Sequence, residues 1–185
     1  MYTEVTVTET DVVEKQQINS LLETAETVRD NALNRAREKM LSREKDAKLA
    51  QLLNNRDFVD YFIHALAQEV AQVIAAYDQR VRAVYLFEES ANPDAEMGEY
   101  PSSVDPTIHL LALVTAASAA LESFVISLDR ILAETLSELP SNAFTKRTSY
   151  LNVVPVTKND IEERRGYAVL LSSIYAPPLK IWQRA

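Results

Sequence analysis

With no cysteine in the chain, any chemistry must come from carboxylates, histidines, hydroxyls or cations. Disulfides, thiolate zinc sites and a cysteine nucleophile are excluded at once. Of the two histidines, His64 sits in a helical apolar stripe with no second histidine at ligand spacing. His109 lies within the apolar run Thr107 to Val114 and reads as a buried or half-buried ring hydrogen-bonded to a neighbour. The densest carboxylates are Glu88, Glu89, Asp94, Glu96, Glu99 and Asp105, in a stretch also holding Asn92-Pro93, Gly98, Pro101 and Ser102-Ser103. That composition describes a long acidic loop. Its oxygens suit a hard cation, but an EF-hand's ligand spacing and glycine turn are missing, so the loop reads as solvated. Arg164, Arg165 and Lys180 could meet an anion, although Glu162-Glu163 beside the arginines favours a solvated helix face. No Gly-x-Ser-x-Gly turn presents a nucleophile. Gly98 and Gly166 are the only glycines, too few for a loop that wraps phosphate with its backbone. No complete catalytic constellation is present.

Composition narrows the function classes further. At 185 residues and 47% apolar content, the chain suits one domain with an appendage and can bury a core. A net charge of −8 without a concentrated basic patch argues against nucleic acid as a partner. Residues 1–20 carry Glu4, Glu9, Asp11 and Glu14 and no apolar core of a signal peptide, and no later run reaches bilayer-spanning length. The expectation is a cytoplasmic protein with no membrane partner.

These side chains must be positioned by a simple series of elements. Residues 1–8 alternate and read as a loose strand or disordered lead. From Asp11 to Leu53 there is neither Pro nor Gly, and Leu22, Ala25, Ala32, Ala36, Met40, Ala47 and Ala50 recur at helical spacing. One long helix or two end-to-end helices follow. A heptad begun at Ile18 fails at Arg35 and Lys39, which disfavours a long coiled coil. The alanine stripe buries little area, so homo-oligomerisation is an expectation. After Asn54-Asn55, the stripe Phe58, Phe62, Ala65, Leu66, Val70, Val73, Ile74 and Tyr77 predicts a core helix. Val81–Phe87 and Thr107–Val114 read as buried strands. Leu121 to Leu136 predicts a helix stopped by Pro140. Thr148–Val156 supplies a third strand with Pro155 near its end. Thr157 then caps a helix through an imperfect box with Asp160, and Pro177-Pro178 closes that helix before a short tail containing Trp182.

The order helix, strand ending Val84-Tyr85-Leu86-Phe87, polar loop, strand Ile108 to Val114, helix, strand Leu151 to Val156 resembles the nucleotidyltransferase superfamily. The likeness is to its small, DNA polymerase β-like minimal members and covers roughly residues 57–175. Members follow the first strand with Gly-Ser, which lets backbone approach nucleotide phosphates, and carry Asp-x-Asp on the second strand. Carboxylates at i and i+2 point to one face and share the divalent ions on a triphosphate. A third carboxylate comes from the third strand. Here the Gly-Ser positions fall on Glu88 and Glu89, the Asp-x-Asp positions on Thr107 and His109, and the third on Asn152. Two glutamates repel phosphate, and Thr, His and Asn are poor Mg²⁺ ligands.

The resemblance therefore implies an α+β protein: a small mixed sheet flanked by helices over 56–185, with an N-terminal helical segment over 1–55. The expected function is a catalytically inactive nucleotidyltransferase fold with a structural, regulatory or partner-binding role, through a protein partner or self-association. No cofactor is expected. One alternative is a divergent metal-dependent nucleotidyl- or phosphotransferase that holds Mg²⁺ with Asp105 and loop glutamates. Another is a helical interaction module unrelated to nucleotidyltransferases.

Overall fold

A computed structural model describes residues 9–40, 48–87, 107–141, 144, 147–174 and 177–185, with side chains in the first helix described from residue 16. The expected lead over 1–8 and the acidic loop over 88–106 lie outside these residues.

The protein is α+β, with a four-stranded mixed sheet and helices around it. Helix α1 (Glu9–Met40) is followed by the single turn α2 (Leu49–Leu52), then α3 (Arg56–Tyr77), β1 (Val81–Phe87), β2 (Ile108–Val114) and α4 (Ala119–Ser137). Strand β3 (Leu151–Thr157), α5 (Lys158–Glu162), a 3-10 helix (Gly166–Ser172) and β4 (Leu179–Gln183) complete it. The sheet order is β3-β2-β1-β4. β1 runs antiparallel to β2 and β4, while β2 and β3 are parallel, as the crossover through α4 requires.

The alanine stripe explains how α1 docks. Ala25, Val28, Ala32, Ala36 and Met40 are buried in the same core as α3, α4 and the sheet. Their small side chains let α1 lie close over α3 and α4. Asn31 reaches Glu69, Arg35 reaches Gln68, and Lys39 stacks over Tyr61, so α1 runs antiparallel to α3. Arg29 ties α1 to α4 through Glu138 at 3.5 Å and the Thr135 carbonyl. Of the expected stripe, Ala25, Ala32, Ala36 and Met40 are thus buried within the chain, Ala50 is exposed, and Ala47 lies outside the described residues. Leu22 departs from the stripe, being 38% exposed, and Ile18 is 42% exposed.

Helix α3 starts where Asn55 Oδ1 accepts the Phe58 amide proton at 3.3 Å. Phe58, Phe62, Ala65, Leu66, Val70 and Ile74 are buried as their spacing predicts. Tyr77 is instead half exposed, its ring stacked 3.8 Å from Phe124 of α4. One network then joins α3, β1 and α4. The buried Asp78 accepts from Arg80 Nε and Nη2 at 2.9 and 2.8 Å, and Arg80 Nη2 also donates to Ser118 Oγ. Ser118 in turn accepts from the Leu121 amide at 3.1 Å as the N-cap of α4. The Arg80 hydrogen bonds hold the Asp78 carboxyl below its ordinary range, against the burial that would raise it.

The C-terminal third departs most from expectation. Strand β3 starts at Leu151 instead of Thr148; Pro155 lies near its end as expected, on an edge strand where a missing amide is tolerated. The Thr157–Asp160 box is complete: Thr157 N donates to Asp160 Oδ2 at 2.8 Å, and Asp160 N donates to Thr157 Oγ1 at 3.3 Å. Aspartate suffices at the third position. The helix so capped ends at Glu162 instead of running to the prolines, because Arg164 and Gly166 take φ of 54° and 48°, which breaks the α-helical run. The tail containing Trp182 is strand β4, with Trp182 opposite Val84. Arg184 completes the closure, donating to the Val81 carbonyl at 3.0 Å and to the Ala75 carbonyl in the last turn of α3 at 2.6 Å.

Candidate functional site

Alternation divides the sheet into two faces. Val84, Leu110, Ala112 and Leu151 belong to the core shared with the helices. Tyr85, Phe87, Leu111, Val154 and Val156 belong to a smaller cluster with Ile161, Ala168, Leu170 and Leu171, so the segment from α5 through the 3-10 helix covers the second face. His109 and Asn152 continue that second face toward the start of β2 and β3.

The register brings the two together: His109 on β2 pairs with Asn152 on β3 and with Phe87 on β1. His109 Nδ1 and Asn152 Nδ2 are 3.2 Å apart, so a His109 ring protonated on its other nitrogen accepts the amide proton. Both side chains are half-buried. The His109 ring centroid is 5.4 Å from Phe87, whose ring lies 5.5 Å from Tyr167 of the 3-10 helix. Thr107, two residues before His109, accepts from Arg147 Nη1 at 3.4 Å. Thr107, His109 and Asn152, which the resemblance led us to expect together, gather at one end of the sheet. Glu88, Glu89 and Asp105 lie outside the described residues.

Two residues that sequence reasoning missed hold this end in place. Asp129 of α4 accepts the backbone amides of Tyr150 and Leu151 on one oxygen, at 2.7 and 2.9 Å. The Tyr150 carbonyl accepts from Ile108 N at 2.7 Å, which starts the β2–β3 ladder. Tyr150 is fully buried, and burial pushes its phenol up from the ordinary value. Asp129 stands next to Leu128 on the helix's inward stripe, and a carboxylate there was the available signal.

Among the described residues, the cluster offers the His109–Asn152 hydrogen bond, the Thr107 hydroxyl, the Phe87 and Tyr167 rings and the Arg147 guanidinium. Among the described residues, no group of three or more histidines, aspartates and glutamates is placed to hold a metal ion. His64 is half-buried, with Nε2 3.2 Å from Gln68 Nε2; burial first and the Lys39 charge second lower its pKa. Of Arg164, Arg165 and Lys180, the last two are engaged locally, while Arg164 sits in the left-handed turn. Arg165 pairs with Glu163, Lys158 with Glu162 at 3.3 Å, and Lys180 donates to Gln183 at 2.7 Å. A concavity of about 440 Å³ lies between α1 and α3, lined by Ser20, Glu23, Thr24, Glu69, Gln72 and neighbouring residues.

Fold and site thus define the class: an α+β protein with a mixed four-stranded sheet and a hydrogen-bonded His109–Asn152 pair at one sheet end. No protein-family model matches the chain, no curated protein is detectably similar to it, and no solved structure matches it. Among the described residues, no helix is long and apolar enough to cross a membrane.

Proposed function

We propose that the chain is a nucleotidyltransferase-like fold that has lost catalysis and serves a structural, regulatory or partner-binding role in the cytoplasm. The observation that carries this reading is the juxtaposition of Thr107, His109 and Asn152 at one sheet end, with His109 and Asn152 3.2 Å apart and no carboxylate among the three. The mixed sheet, with one antiparallel and one parallel neighbour for β2, supports the same reading. Such a role needs no cofactor. Absence of cysteine fits a reducing compartment.

The partner-binding half of the proposal rests on α1. The face that buries Ala25, Ala32 and Ala36 continues toward the N-terminus as Ile18 and Leu22, both exposed. An apolar stripe that outruns its own domain suits a protein partner or a second copy.

Calorimetric titration of the protein with each common nucleoside triphosphate in excess Mg²⁺ tests the loss of catalysis. No binding heat is expected. Micromolar affinity accompanied by nucleotide transfer would overturn the proposal.

A further inference from the structure

We draw no further inference here: the strongest candidate, the groove between α1 and α3 with buried Glu69 in its lining, has that carboxylate already met by Asn31 at 3.1 Å and Arg35 at 2.9 Å, and no other observation there points to a ligand.

Discussion

Asp129 carries the sharpest mechanical test of how the sheet end is built. One of its oxygens accepts two consecutive backbone amides, Tyr150 N at 2.7 Å and Leu151 N at 2.9 Å, so a single side chain on α4 sets where β3 begins. Asp129→Ala removes the acceptor of both. A hydrogen bond to a charged group contributes about 1.5–3 kcal/mol, and stranding a buried donor costs a further about 1–3 kcal/mol. Asp129 is only half-buried and its two bonds share one oxygen, so the sum is discounted to about 2–4 kcal/mol. Asp129→Asn keeps an acceptor and loses the charge, which should cost about half as much. Urea unfolding followed by circular dichroism measures both, with an unchanged m-value required for the comparison. The expected order of midpoints is wild type, then Asn, then Ala. An alanine variant within about 0.5 kcal/mol of wild type, the range of ordinary surface substitutions, would refute this account of β3 placement.

Further expectations follow from other contacts. Arg164 holds φ at 54°, so Arg164→Gly should raise stability by about 0.5–1 kcal/mol, seen as a higher melting temperature; a lower one would show that its side chain has a use. The Asp78 carboxyl is held below its ordinary value by Arg80, so its stabilising contribution is complete above that ordinary value and is lost as pH falls through the depressed one. Asp78→Asn should accordingly flatten the acid side of a stability-versus-pH curve, and an unchanged slope would contradict the pairing. His64 has a lowered pKa for a basic group, so the unfolded chain binds the proton more readily. Stability should therefore fall as pH drops from the ordinary histidine value through the lowered one, and His64→Gln should remove that part of the dependence. Arg184→Ala should detach β4 from α3; the single tryptophan, Trp182, then reports the change as red-shifted emission before global unfolding.

The elements with strong local patterns were legible: α3, α4, β1 and β2 stand where spacing and β-branched runs placed them, and β3 starts three residues later than expected. Strand β4 was not, because five residues after a Pro-Pro pair carry little pattern, and their strand character depends on pairing with β1 nearly a hundred residues earlier. The same non-locality hid Ser118 and Asp129, whose roles exist only once Arg80 and the start of β3 arrive beside them. Tyr77 reads as core from its spacing, yet it ends α3 half exposed and stacks on Phe124 instead. At the sheet end, alternation alone put Thr107 and His109 on one face, and the hydrogen bond between His109 and Asn152 needed the parallel register as well. The turn at Arg164 was illegible because a left-handed arginine has no sequence signature of the kind glycine provides.

The central claim concerns that sheet end, and isotope-detected NMR of the His109 ring and the Asn152 side-chain amide during titration with Mg²⁺ and ATP addresses it most directly. The expected result is that both signals stay in place at millimolar ligand, the His109–Asn152 pair undisturbed. Saturable shifts at both groups, with transfer of the nucleotide to an acceptor, would contradict the loss of catalysis.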